Sequence, residues 1–108
     1  MSTKKSCTIP FKIPKRFMLG GTVYDVVIKS IPEDVSANAE LGCYDFLTNT
    51  IELYRYNNIS KQCLEQSFLH ELTHAIFCHI NDKESYDNET KVDMFSHHLY
   101  EFLKTMEV

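Results

Sequence analysis

The stretch His70-Glu71-Leu72-Thr73-His74 decides how the rest of this sequence is interpreted. On an α-helix its two histidines lie one turn apart on the same face, and two neutral imidazoles at that spacing can bind one zinc ion. Glu71, which faces the same site, is the residue type that acts as a general base beside such a metal. A catalytic zinc takes three protein ligands, so the pentapeptide predicts a third ligand elsewhere in the chain.

The helix that carries this pentapeptide is predicted to begin after an N-cap at Ser60 and to end at about Ile80. One broad face is apolar and holds Leu64, Phe68, Leu72, Ala75, Ile76 and Ile80. The opposite face holds Cys63, Ser67, His70, His74 and Phe77. Few charged residues interrupt the middle of the helix, so we expect it to be buried on most sides. Two imidazoles buried there without partners would cost free energy, which favours a bound ligand.

Upstream of this helix, alternating β-rich runs predict a short sheet. Residues 16–19 and 22–29 flank Gly20-Gly21 and are predicted to form a hairpin. Residues 42–47 and 50–54 are predicted to form a second strand pair. In the last of these strands apolar and polar residues alternate, which predicts one covered and one solvated face. We expect three to four strands, with 50–54 as the exposed edge along which an extended peptide adds.

Downstream, residues 81–88 are predicted to form a polar turn, and a second helix is predicted from about Asp87 to Thr105. Its apolar stripe consists of Val92, Phe95, Leu99, Phe102, Leu103 and Met106. The aromatic side chains of Phe68, Phe95 and Phe102 are expected in the core. The predicted fold class is therefore α+β: a short, largely antiparallel sheet followed by two packed helices, with zinc held between the helices.

The third zinc ligand must come from outside the first helix, and the second helix offers several candidates. Glu89 is favoured because its side chain starts on the packed face, although a carboxylate in a first helical turn also complements the helix dipole. Asp93 is the second candidate, and His97 or His98 is the third. Cys78, one turn beyond the pentapeptide, would have to compete with the more usual carboxylate.

Together these residues predict a site for hydrolysis. Bound zinc lowers the pKa of a water molecule, and Glu71 can then take a proton from that water and pass it to the leaving amine. The developing oxyanion also needs a hydrogen-bond donor. Tyr86, His97, His98 and Tyr100 are the candidates, and the sequence alone does not choose among them.

Composition limits the functions that the chain can have. With 108 residues it is predicted to form a single domain over 11–108, preceded by a flexible tail over 1–10. Its net charge of −4 argues against nucleic-acid binding, and no apolar stretch approaches the length of a membrane span. Prolines and lysines interrupt the run after the basic N-terminus, so no signal peptide is predicted.

The four cysteines, Cys7, Cys43, Cys63 and Cys78, are scattered and include no C-x-x-C pair. That arrangement argues against a structural zinc knuckle and against a disulfide scaffold. It favours reduced thiols in a cytoplasmic protein.

Two segments carry a resemblance to a known family: residues 68–76, which read Phe-Leu-His-Glu-Leu-Thr-His-Ala-Ile, and residues 88–96, which read Asn-Glu-Thr-Lys-Val-Asp-Met-Phe-Ser. They resemble the ImmA/IrrE-type metallopeptidases, small gluzincin-like zinc proteins common in phages and mobile elements. In that family the second helix reads roughly E-x-x-A-N-x-F-A. The residues at the last four specified places are here Val92, Asp93, Phe95 and Ser96. SprT-like zincins share the helix and a similar strand, and they are the second family considered.

The resemblance covers residues from about 40 to 103 and implies a minimal zincin-like metallopeptidase fold with Glu89 as the third zinc ligand. It also implies a protein substrate, since relatives of this type are implicated in cleaving regulator or repressor proteins. Thr73 departs from the family, whose members often have glycine before the second histidine. The expected function is zinc-dependent hydrolysis of peptide bonds with Glu71 as general base. The alternative is a catalytically weak or inactive zinc-containing protein-binding module of phage or mobile-element origin.

Overall fold

A computed structural model describes residues 11–107 of the chain, so the tail predicted over residues 1–10 lies outside the described residues. Within the described range, four strands precede three helices. In chain order these are β1 Arg16–Leu19, β2 Thr22–Ile31, β3 Gly42–Asp45, β4 Thr50–Tyr56, α1 Lys61–His79, α2 Lys83–Tyr86 and α3 Glu89–Thr105. The predicted α+β class is confirmed, with one short helix, α2, in the segment predicted as a polar turn.

The four strands form one mixed sheet in the order β1-β2-β4-β3. The two predicted hairpins are confirmed, because β1 pairs with β2 and β3 pairs with β4 in antiparallel orientation. Between the hairpins, β2 and β4 run parallel from the pair Asp25–Thr50 to the pair Ile31–Tyr56. The prediction of a largely antiparallel sheet missed this pairing, which is the longest of the three. A hairpin is visible in its turn residues, whereas a parallel pairing between distant strands has no local sequence signature.

The prediction that β4 forms an exposed edge is wrong, because β4 lies between β2 and β3. Its alternation did predict the burial: the side chains of Ile51 and Leu53 are fully buried, while Glu52 and Tyr54 on the other face are half-buried. Alternation shows which face of a strand is covered, but it does not show which strands lie on either side. In the sheet of the described residues, β1 and β3 are the edge strands, and β3 packs against α1.

Helix α1 packs against the sheet and is covered on most sides, as predicted. The Oγ atom of its N-cap, Ser60, accepts a hydrogen bond from the backbone N–H of Cys63 at 3.0 Å. A core cluster joins the sheet to this helix and consists of Ile51, Leu53, Leu64, Phe68 and Leu69. Ile80, expected on the apolar face, is instead the C-cap residue and is 59% exposed.

Helix α3 packs against α1 with only part of its apolar stripe. The buried or partly buried positions of this helix are Val92, Ser96, Leu99, Tyr100 and Leu103. The prediction that Phe95 and Phe102 lie in the core is wrong, because they are 48% and 59% exposed. Both residues lie at one margin of the stripe, and the helix turns the centre of the stripe towards α1.

None of the described helices combines the length and the apolar character that a membrane crossing requires. Cys43, Cys63 and Cys78 are free thiols in the described part of the chain. Cys7 lies outside that part.

Candidate metal centre

Three side chains from two helices meet at one point between α1 and α3. The Nε2 atom of His70 lies 3.2 Å from Oε2 of Glu89, and the Nε2 atom of His74 lies 2.8 Å from Oε1 of the same carboxylate. In this group a potential ligand atom from each side chain lies within 4.8 Å of the others. Two imidazole nitrogens and a carboxylate oxygen are a donor set that suits Zn²⁺. The structure thus brings together the three ligands predicted from the sequence.

The two helices present these three side chains differently. His70 and His74 follow one another on α1, their ring centroids are 5.0 Å apart, and their side chains are 22% and 11% exposed. Glu89 is the first residue of α3, and its side chain is 66% exposed. The N-cap of α3 is Asn88, whose Oδ1 accepts a hydrogen bond from the backbone N–H of Lys91 at 3.0 Å. The histidines are therefore held inside the protein, and the carboxylate reaches them from its surface.

The antiparallel packing of α1 and α3 is fixed at both ends by polar contacts. Glu89 at the start of α3 meets the second half of α1, as described above. Near the end of α3, the hydroxyl of Tyr100 donates to Oε1 of Glu65 at 2.8 Å, and Nζ of Lys104 lies 3.4 Å from the same oxygen. The other carboxylate oxygen of Glu65 is buried without a hydrogen-bond partner among residues 11–107. These contacts fix the position of α3 along α1, and with it the position of Glu89.

Asp93 contacts the opposite side of the His70 ring. Its Oδ1 atom lies 2.8 Å from Nδ1 of His70, so this imidazole contacts Asp93 through one nitrogen and Glu89 through the other. A histidine that binds a metal usually donates its second ring N–H to a carboxylate, which fixes the tautomer and the orientation of the ring. Asp93, the second candidate for the third ligand, therefore fits the role of a residue that positions His70. Its spacing of one turn from Glu89 places both carboxylates on the same face of α3, which is the part of this arrangement that the sequence shows.

The remaining ligand candidates lie outside the three-residue group. His97 lines the adjoining cleft without joining the group. His98 faces outward, and its Nδ1 lies 2.7 Å from the backbone carbonyl oxygen of Met94, to which an Nδ1–H donates. Cys78 lines a separate cavity together with Tyr86. Among the residues that the structure describes, the set of His70, His74 and Glu89 includes none of them.

His74 contacts an aromatic ring, whereas His70 contacts the carboxylate of Asp93. The His74 ring lies against the ring of Tyr86, with centroids 5.0 Å apart and 67° between the planes. Its Nδ1 atom is buried and has no hydrogen-bond partner within the described range. The two histidines are therefore supported unequally, and the ring of Tyr86 is the described contact that restrains His74.

Thr73 fits into α1 although the resembled family often has glycine at this place. The residue is 1% exposed, and its Oγ1 donates a hydrogen bond to the backbone oxygen of Leu69 at 2.7 Å. A buried hydroxyl that bonds the carbonyl one turn earlier leaves no unsatisfied donor. The departure from the family pattern therefore leaves the three ligand atoms untouched.

A cleft of about 390 Å³ opens beside His70. Three parts of the fold form it: the segment entering β3, one face of α1, and α3. The lining residues are Leu41 and Gly42, five residues of α1 between Cys63 and Glu71, and Asp93 and His97 of α3. The cleft therefore contains the predicted general base, Glu71, next to a candidate metal ligand.

Gly42 lies between β4 and α1 at this cleft, where a side chain would not fit without a shift of its neighbours. A Cβ atom at this position would lie 2.9 Å from the backbone oxygen of Glu52 and 3.4 Å from Cγ of Glu71. The shorter distance lies well inside the optimal separation of non-bonded heavy atoms, so a side chain would push β3 out of place. The missing side chain therefore allows β3 to pair with β4 next to the predicted base.

Burial raises the pKa of the Glu71 carboxyl to about 7. The charge of His70 acts in the opposite direction, and the negative charges of Glu89 and Glu40 raise the pKa further. Glu71 therefore lies within electrostatic reach of the ligand group. Its surroundings make the carboxylate a stronger base than it would be in water.

Two of the four candidate oxyanion donors adjoin the site. Tyr86 packs against the ring of His74, a candidate ligand, and His97 lines the cleft. Tyr100 donates its hydroxyl hydrogen to Glu65 in the far half of the helix pair, and His98 faces outward. Of the four candidate oxyanion donors that the sequence left open, Tyr86 and His97 are therefore the two that lie near the site.

Comparisons of the chain with protein-family models, with curated proteins and with solved structures find no match. The family resemblance of the two sequence segments therefore remains a prediction, and the contacts between α1 and α3 carry the functional proposal.

Proposed function

We propose that this protein is a zinc-dependent metallopeptidase that hydrolyses peptide bonds in a protein substrate. The observation that carries the proposal is the convergence of His70, His74 and Glu89 beside a cleft that also contains Glu71. Three protein ligands leave one position of a tetrahedral zinc for water, whereas structural zinc sites have four protein ligands. A structural zinc site also has no need of a general base, so the presence of Glu71 supports a catalytic rather than a structural site.

In this proposal each residue has a separate task. His70, His74 and Glu89 hold the metal, and Asp93 keeps the His70 ring oriented. Zinc bound there would supply a water of lowered pKa and a polarised carbonyl group. Glu71 accepts the proton of the attacking water and delivers it to the leaving amine.

We propose that the substrate peptide adds to the free edge of β3. This strand ends the sheet on the side of the cleft, and its first residue, Gly42, lies close to Glu71. An extended peptide can pair its backbone with an edge strand and so present its scissile bond to the cleft. The proposal replaces the prediction for residues 50–54, since β4 already pairs with a strand on each side.

We further propose that the substrate is a regulator or repressor protein and that hydrolysis takes place in the cytoplasm. The first part rests on the family resemblance of the sequence. The second part is supported by the free thiols of Cys43, Cys63 and Cys78, which reducing compartments maintain. The net charge of −4 makes nucleic acid a poor partner.

A protein-binding module with a structural zinc is the second candidate function. Exposed apolar side chains on α3, away from the cleft, favour it: Met94, Phe95 and Phe102 are 59%, 48% and 59% exposed. Such side chains can contact a partner protein. Loss of hydrolysis on replacing Glu71 separates the two candidates, because a binding module does not depend on a base.

Metal analysis combined with a hydrolysis assay tests the proposal. Zinc is measured by mass spectrometry in the wild-type protein and in the His74→Ala and Glu89→Ala variants, and cleavage of unfolded protein is followed in the same samples. About one zinc per chain, lost in both variants, together with hydrolysis that stops in Glu71→Gln, supports the peptidase. Zinc without hydrolysis favours the binding module, and no zinc after reconstitution contradicts both functions.

A further inference from the structure

The cleft continues past the candidate metal ligands along α1. Cys63, Gln66, Ser67 and His70 follow one another at helical spacing and line a stripe roughly 10 Å long. His97 lines the same cleft from α3. We call the part farthest from the ligands, bounded by Cys63, Gln66, Ser67 and His97, the distal pocket.

The walls of the distal pocket are polar, and Gln66 is the longest of the side chains that can accept a hydrogen bond there. The hydroxyl of Ser67 is already used, since it donates to the backbone oxygen of Cys63 at 2.9 Å. Nε2 of Gln66 donates to Oγ of Ser96 at 3.3 Å, and Ser96, which is fully buried, donates in turn to the backbone oxygen of Asp93 at 3.2 Å. Because the carboxamide nitrogen of Gln66 contacts Ser96, its oxygen, Oε1, is the atom left to accept a hydrogen bond from a ligand.

Apart from the histidines His70 and His97, the charged groups around the cleft are acidic. Glu71 and Asp93 line it, and Glu40 and Glu89 lie near enough for their charges to act on Glu71. Neither lysine nor arginine lines it among the described residues. Bound zinc would offset part of this negative charge near the ligands. In the distal pocket, which is the part farthest from them, a negatively charged side chain would be repelled more than an uncharged or positively charged one.

We propose that the distal pocket receives one substrate side chain next to the scissile bond, and that Gln66 selects a side chain that donates a hydrogen bond. Asparagine, glutamine, serine and lysine meet this requirement. Aspartate and glutamate are rejected by the acidic lining, and a large aliphatic side chain would bury the Gln66 oxygen without a partner. The inference rests on the proposed peptidase function, because it names the substrate class of the same site.

A randomised peptide mixture tests this selection. The zinc-loaded full chain is incubated with peptides randomised at every position, and the cleaved bonds are identified by mass spectrometry. Gln66→Leu removes the acceptor at similar volume. Gln62→Leu makes the same change on the exposed side of α1 and is the matched control. Zinc content and circular dichroism verify that each variant keeps its metal and its fold.

Substitution of Gln66 should change the cleavage preference, and substitution of Gln62 should not. Wild type and Gln62→Leu are expected to cleave beside donor side chains, and Gln66→Leu is expected to lower the preference for a donor over leucine about tenfold, which corresponds to one lost hydrogen bond. Gln66→Glu keeps the size and adds a negative charge, so it is expected to shift the preference towards lysine and arginine. A preference that stays unchanged in Gln66→Leu overturns the inference and leaves the peptidase function standing.

If no peptide is cleaved, a binding experiment still tests the side-chain selection by Gln66 independently of the proposed peptidase function. Labelled peptides that differ only by asparagine, lysine, leucine or glutamate at one position are titrated against the zinc-loaded Glu71→Gln chain, with and without Gln66→Leu. Tighter binding of donor-bearing peptides that is lost with Gln66→Leu supports the inference even though the peptidase proposal has failed. Equal affinity for all four peptides overturns the inference.

Discussion

Oδ1 of Asp93 lies 2.8 Å from Nδ1 of His70, while the carboxylate of Glu89 lies 3.2 Å from Nε2 of the same ring. Two carboxylates one turn apart on α3 therefore contact the two nitrogens of one imidazole. Only Glu89 also reaches His74, at 2.8 Å. The two acidic residues therefore make different contacts, and under the proposed function these lead to different expectations when each is removed.

Removal of the ligand should weaken zinc binding more than removal of the positioning residue. Glu89→Ala takes away one of three donor atoms, whereas Asp93→Ala leaves all three and should lower the affinity about 10- to 100-fold. Competition titrations against a zinc chelator measure both affinities, and Glu101→Ala, an exposed change on the same helix, is the control. A larger loss in Asp93→Ala would identify Asp93 as the third ligand.

Glu71→Gln should keep zinc and lose hydrolysis. The amide fills the same volume but cannot accept a proton from water, and proton transfer of this kind contributes about 10²–10⁴-fold to a rate. Initial rates of peptide cleavage and zinc content are measured on the same samples, with the exposed change Glu84→Gln as control. Hydrolysis at the wild-type rate would remove Glu71 from the mechanism.

Chelation of zinc should lower the Tm of the protein. The metal would join α1 to α3 in the folded chain, so its binding free energy adds to the free energy of unfolding, by about 2.7 kcal/mol when free zinc is 100 times the Kd. Calorimetric scans with and without chelator measure the shift. His74→Ala should have a Tm that does not respond to chelator, and an equal response would mean that zinc stabilises the protein from another site.

High pH should destabilise the fold through its tyrosines. Burial, followed by the hydrogen bond to Glu65, raises the pKa of Tyr100 to about 12, and burial also raises the pKa of Tyr44. Since tyrosine in an unfolded chain has a pKa of about 10, the folded state keeps protons that the unfolded state loses between pH 10 and 12. This stabilisation is therefore complete below pH 10 and is lost as the pH rises through that window.

Urea unfolding at a series of alkaline pH values measures this loss. In Tyr100→Phe the free energy of unfolding should fall less steeply above pH 10, because one of the raised phenols is gone. An identical slope in wild type and variant would show that Tyr100 does not contribute to the pH dependence.

The parts of the fold that the sequence predicts are those encoded by neighbouring residues. Ser60 caps α1 because its side chain reaches a backbone N–H three residues away, and Gly20-Gly21 turns a hairpin between adjacent strands. The spacing of His70 and His74 likewise determines that both rings share one helix face. Each of these relationships spans a few residues, so the pattern alone is enough to predict it.

The remaining features depend on which distant segments meet. The parallel pairing of β2 with β4 has no local turn in the sequence that would predict it. The edge position of β3 follows from this pairing and is therefore not predicted either. Phe95 is apolar and regularly spaced, but its exposure depends on how far α3 rotates against α1. The role of Asp93 depends on the same rotation, because a small change would turn its carboxylate away from His70.

The pairing of β2 with β4 also constrains the order in which the chain can fold. Each hairpin closes over a short turn, but Asp25 meets Thr50 only after the intervening chain, including β3, has closed into a loop. The two hairpins contain four residue pairs each, and isolated two-stranded hairpins are marginally stable. They therefore become stable by docking on one another. We expect that docking step, with its high contact order, to set the folding rate of the domain.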